Sequence, residues 1–155
     1  MADDPRTGNA HPRSGAYEEH FTRTPVQLVT GGGWKRLVAF RVDAEGVLLG
    51  GAPARHAAQS AFVSWADITS LVLWRQQTAG EPIDYVGVRR RPGAPLLAGM
   101  NSGLSPERTA KLAPHVEHEL FLASRPVNLW KLDPVRLQAA VATFAPQVPV
   151  HVVQP

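Results

Sequence analysis

Three groups of side chains in this sequence have the types and spacing to do chemistry. In "HVEHE", His115, His118 and Glu119 would share one face if the segment were helical, since residues three and four apart are neighbours there. Two imidazoles and a carboxylate suit a catalytic zinc ion, which keeps a fourth position open. The segment has no HExxH pattern, so a solvated polar face competes with a metal-dependent hydrolase, which ranks last among the functions considered. Ser64, His56 and Asp67 supply a nucleophile, a base and an orienting acid on paper. They lack a GxSxG elbow, and such residues occur together by chance in most chains. Asp67 reads better as capping the turn after Trp65. No catalytic residue, cofactor or metal is therefore assigned.

The third group is "VGVRRRPGAP". Arg89, Arg90 and Arg91 could hold phosphate of nucleic acid or lipid, with an affinity that falls steeply with salt. The two-residue period of a strand sends Arg89 and Arg91 one way and Arg90 the other, so a regular strand cannot present them as one flat patch. Pro92-Gly93 fits the centre of a type II turn, placing the triplet at a strand end, where charges keep an edge from pairing. Trp34, beside Gly31-Gly32-Gly33, is the tryptophan expected to be exposed and is a binding candidate; Trp65 and Trp74 are expected in the core. The glycine run has neither P-loop spacing nor GxGxxG and reads as a connector.

The elements that position these groups read mainly as strands. Residues 1–25 are polar, with Pro, Gly and charges of both signs, and are expected to be a disordered tail; residues 26–153 make a single domain. Apolar alternation begins at Val26 to Thr30. It resumes at Arg36 to Val42, with Val38, Phe40 and Val42 on the better buried face, and a hairpin turns through Asp43-Ala44-Glu45-Gly46 to Val47–Leu49. Two further β-rich runs flank Ala66-Asp67, the second placing Ile68, Ser70, Val72 and Trp74 on one face. "IDYVGVRRR" continues the sheet. Between Ala94 and Arg125 the pattern is least regular. Ser105-Pro106-Glu107 starts a short helix that Pro114 stops, "HVEHELFLA" is a helical turn or an irregular strand, and "RPVNLWKL" reads as a last strand. "LDPVRLQAAVATFAP" is the clearest helix. Asp133 caps it, Pro134 suits its first turn, and Leu137, Ala140, Val141 and Phe144 form its apolar stripe, with Leu132 and Leu137 as a hydrophobic staple. "VPVHVVQP" adds an edge strand, as Pro149 disfavours a central one.

Composition limits the function. Cysteine is absent, which excludes disulfides, thiolate metal sites and cysteine nucleophiles. A net charge of +3 is too small to imply a nucleic-acid partner. Thirteen arginines against three lysines suggest GC-rich coding, so part of the arginine signal reflects codon usage. No run is long and apolar enough for a membrane helix, and no apolar h-region follows the N-terminus, so a cytoplasmic location is expected.

This order of strands followed by one amphipathic helix resembles a pleckstrin-homology-like (PH-like) domain. The segments "LVAFRVDAEGVLLG", "FVSWADITSLVLW", "YVGVRRRPGAP" and "RPVNLWKLDPVRLQAAVATFAP" look like an uncharacterised actinobacterial PH-like family, with Trp65 to Ile68 as landmark. The resemblance implies a mainly β, α+β fold: an antiparallel β-sandwich or partly open barrel of six or seven strands, capped by one C-terminal helix. It transfers no site residues. Phosphoinositide-binding PH domains carry Lys and Arg around the first hairpin loop; here that loop holds Asp43 and Glu45, so head-group recognition is not implied. The expected function is a non-catalytic binding or scaffold module for another protein or peptide. An anion-binding module using Arg89, Arg90 and Arg91 is the alternative, and nucleic acid is not the expected partner.

Overall fold

A computed structural model describes residues 15–22 and 36–155. Its first strand, β1 (Tyr17–His20), lies inside the stretch expected to be a tail, whose residues 1–14 and 23–25 lie outside the described residues; for the residues of β1 that expectation is corrected. The reason is Tyr17. Its ring is buried edge-on to Phe40, and its strand pairs with residues Val38 to Val42, so burial and backbone pairing offset the ordering cost. The strand expected at Val26–Thr30, the glycine run and Trp34 lie outside the described residues.

β1 pairs antiparallel with β2 (Val38–Val42), which forms a hairpin with β3 (Gly46–Leu49). Asp43 closes the turn: its Oδ1 accepts from the Glu45 and Gly46 amides at 2.8 and 3.2 Å, and its Oδ2 accepts from Arg41 Nε at 3.1 Å. A 3-10 turn (Pro53–Arg55) and a short helix, α1 (His56–Gln59), lead to β4 (Ala61–Ser64), completing a sheet of order β1-β2-β3-β4.

One 3-10 turn, Trp65–Asp67, carries the chain into β5 (Ile68–Gln76). The side chain that caps it is the hydroxyl of Ser64, which accepts from Ala66 N at 3.2 Å, and not the carboxylate of Asp67 expected to do so. β6 (Ile83–Arg90) follows, and Gly93 at φ 79° with Ala94 N donating to Arg91 O makes the expected type II turn. Helices α2 (Pro106–Leu112) and α3 (His118–Leu122) precede β7 (Ser124–Pro126). The last strand expected from "RPVNLWKL" is short: Val127 N still donates to Asp84 O at 2.7 Å, and the chain then folds back so that Trp130 Nε1 reaches Pro126 O at 3.0 Å. Helix α4 (Pro134–Phe144) has the expected cap: Asp133 Oδ1 accepts from the Val135 and Arg136 amides, both at 3.1 Å. β8 (Val150–Val153) then adds parallel to β5 at the edge of a second sheet of order β7-β6-β5-β8.

The fold is therefore α+β and mainly β, with two separate four-stranded sheets and no closed barrel among the described residues. Three short helices accompany the C-terminal one: α2 follows the start expected at Ser105-Pro106-Glu107, α3 takes the helical reading of "HVEHELFLA", and α1 was not expected. The larger core joins the inward row Tyr17, Val42, Val47 and Val63 to Leu71 and Val86 of the second sheet and Leu137 and Val141 of α4. A smaller core stacks Trp74 on Tyr85 at 4.1 Å and closes with Phe121. Strand β5 is buried on both faces. Ile68 joins Leu71 in the larger core, away from Val72 and Trp74, because the ladder slips between Ile68 and Ser70. No helix among the described residues is long and apolar enough to cross a membrane.

Candidate functional site

The arginine triplet separates in space. Arg89 ends on Glu117 (3.0 Å), at the start of α3; Arg90 donates to the Pro95 carbonyl; Arg91 leaves the strand and pairs with Asp67 at 2.6 Å. Each cation thus ties a different neighbouring segment, and the three do not converge on one point where phosphate could sit.

The histidines separate as well. α3 begins only at His118, so His115 is not on the helical face assumed for "HVEHE". His115 Nε2 meets the Arg75 carbonyl at 2.8 Å, while His118 Nδ1 meets Thr109 Oγ1 at 2.9 Å. No group of three His, Asp or Glu among the described residues could hold a metal ion. The paper triad is likewise not assembled: His56 Nε2 lies 2.7 Å from Val38 O, Ser64 Oγ is a turn cap and Asp67 holds Arg91.

Trp65 is half-buried, with Nε1 on Asp43 O at 2.8 Å, and Trp74 is buried with Nε1 on Ser124 Oγ at 3.0 Å. Trp130 is buried too, stacked on Phe40 at 5.9 Å. Trp130 also lines a cleft of about 210 Å³, which the described residues form where the ends of β1, β3 and β7 meet. Phe21, Pro53, Met100, Pro126 and Leu129 supply its apolar walls. Met100 and Leu129 remain 39% and 45% exposed, so they form a hydrophobic rim.

The polar side chains of the cleft are Asn128 and Arg125. Arg125 is 2% exposed, and its guanidinium is caged by backbone carbonyls: Nε donates to Gly50 O (3.1 Å), Nη1 to Ser124 O (3.0 Å), and Nη2 to Gln59 O (3.0 Å) and Ala98 O (2.6 Å). None of these acceptors carries a full charge. Desolvation without a carboxylate pulls its pKa down to about 10. Gly99 packs closely on the cage: a Cβ there would stand 3.0 Å from Nη1, so the guanidinium would have to shift slightly. Gly50 has no room for a side chain against the carbonyls of Val38 and Ala39.

The rim is fixed by backbone geometry. Leu129 holds a left-handed φ of 62°, rare for a bulky residue, and its carbonyl accepts from both Thr22 N (2.7 Å) and Thr22 Oγ1 (2.8 Å). Residues Arg125, Met100 and Leu129 escaped sequence reasoning. An arginine following "HELFLAS" carries no local mark of burial, and the left-handed turn at Leu129 is not signalled by a Gly or Asn at that position. Neither a family model, nor a curated protein, nor a solved structure matches the chain.

Proposed function

We propose that this chain is a non-catalytic binding module of PH-like type, akin to the actinobacterial family its sequence resembles, and that its partner is another protein engaged at the cleft beside Arg125. Two antiparallel-built sheets followed by a helix that seals the larger core support the PH-like assignment, with parallel β8 as an addition to that plan. The observation that carries the binding role is the cleft itself: an apolar concavity with an exposed Met100 and Leu129 rim and a buried cation in its wall. Such concavities, with few polar groups among apolar walls, are the usual form of a recognition site. The candidate catalytic and metal-ligating side chains, by contrast, are engaged in turn, strand-end and loop contacts.

Selection of a displayed random-peptide library on the full chain tests the reading. Enriched peptides should lose affinity roughly tenfold or more on Met100→Asp and keep it on Arg91→Gln. Failure to enrich any sequence, or loss on Arg91→Gln with indifference to Met100→Asp, would overturn it.

A further inference from the structure

The geometry points to a free C-terminal carboxylate next to an apolar last side chain as the group this cleft takes from its partner; the inference rests on the protein-binding reading above and specifies its chemistry. Arg125 has five N–H donors, and the four carbonyls take four of them, leaving one hydrogen of Nη1 without an acceptor among the described residues. The guanidinium is a nearly fully buried cation in the cleft wall with no carboxylate of the described residues against it. A buried cation is stabilised most by an anion, so charge complementarity selects a ligand that brings one.

The rest of the site selects what carries the anion. Phe21, Pro53, Leu129 and Met100 suit an apolar side chain, and a volume of about 210 Å³ falls below the usual range for drug-sized ligands and matches one residue with its terminal carboxylate. A chain running through as an added strand is disfavoured. Edge strand β7 has its outward carbonyls at Ser124 and Pro126 occupied by Arg125 Nη1 and Trp130 Nε1, and Pro126 has no N–H to offer. Recognition must therefore come from a chain end reaching the guanidinium, not from a backbone ladder.

The test uses N-acetyl-alanyl-leucine and N-acetyl-alanyl-phenylalanine, each as free acid and as matched amide, with isovalerate as a small-acid arm, titrated into the full chain by NMR. The free acids should shift the Arg125 Nε–H and Trp130 Nε1–H resonances, and the amides should bind roughly tenfold more weakly or worse. Because Arg125 variants risk unfolding, Met100→Asp provides the second arm: its carboxylate at the rim should weaken the acids more than the amides, and Met100→Lys should strengthen the acids. Equal binding of acids and amides would overturn the carboxylate while leaving the binding-module reading to the display selection. Isovalerate binding as tightly as the dipeptide acids would overturn the polypeptide source. No binding by any probe would overturn the inference outright.

Discussion

Arg125 Nε and the Gly50 carbonyl lie 3.1 Å apart although 75 positions separate them in sequence. With Gln59 and Ala98, the same guanidinium joins three distant segments to β7, so one side chain builds the wall of the cleft and also holds the segments around it. Arg125→Met would leave carbonyls of Gly50, Gln59, Ala98 and Ser124 without this donor. The expected loss is about 3–5 kcal/mol in urea unfolding. Arg125→Lys, whose ammonium cannot reproduce the planar fork, should recover less than half. A loss below about 1 kcal/mol for Arg125→Met would show that the cage contributes little.

Leu129 presents a different balance. A bulky side chain at φ 62° carries roughly 1 kcal/mol or more of backbone strain, which glycine relieves. Leu129→Gly also removes a rim residue that is 45% exposed, so the burial it forfeits is only partial and the relieved strain offsets it. It should therefore raise the urea midpoint or leave it unchanged while weakening selected peptides roughly fivefold or more. Lower stability with intact binding would count against a functional reason for the strain.

Gly87 faces Ser124, and a Cβ at Gly87 would collide with the Ser124 hydroxyl. That hydroxyl accepts from Trp74 Nε1 at 3.0 Å and donates to Leu120 O at 2.6 Å, a buried relay inside the smaller core. Gly87→Ala should cost about 2–4 kcal/mol. In the double variant Gly87→Ala, Ser124→Gly the two costs should sum to less than their separate values, because the collision is gone; strict additivity would contradict the contact.

Tyr17 gives a pH signature. Burial is the largest cause raising its pKa from 10.0 to about 12, against the opposing bond in which its oxygen accepts from Asp133 N at 2.8 Å. The folded state thus keeps the phenol proton more tightly than the unfolded state. Its contribution is fully present below about pH 10 and is lost as pH rises towards 12. Tyr85, also raised by burial, acts in the same sense, and Arg125, lowered, in the opposite one. The difference between wild type and Tyr17→Phe isolates Tyr17: the stability gap should narrow over that window. A gap that stays constant would contradict the burial of its hydroxyl.

Local signals account for what the sequence made legible. Asp133, Pro134 and the stripe Leu137, Ala140, Val141 mark α4, the Asp43 loop marks its hairpin, and Pro92-Gly93 marks its turn, because cap, turn and stripe all act within a few residues. β1 was missed since its burial depends on Phe40, more than twenty positions away, and its own neighbours are polar. The cleft was illegible for the same reason: Arg125's acceptors at Gly50, Gln59 and Ala98 are remote, and nothing around "SRP" distinguishes a caged arginine from a solvated one. The arginine triplet showed the reverse error of emphasis. Three adjacent cations are conspicuous in sequence, yet Glu117, Pro95 and Asp67 draw them apart.

Exposed ion pairs such as Arg91–Asp67 contribute little individually. Changing Arg89, Arg90 and Arg91 together to Gln should lower stability by less than about 1.5 kcal/mol and leave peptide affinity within about twofold at low and moderate salt. A loss of binding that disappears at moderate salt would return the triplet to the centre of the function.

The most direct measurement is a chemical-shift map of the full chain titrated with a display-selected peptide. The account predicts perturbations concentrated on the Trp130 indole N–H, the Met100 methyl, Leu129 and Phe21. Perturbations concentrated on Arg89 to Arg91 and the Pro92-Gly93 turn, with the cleft resonances unmoved, would contradict it.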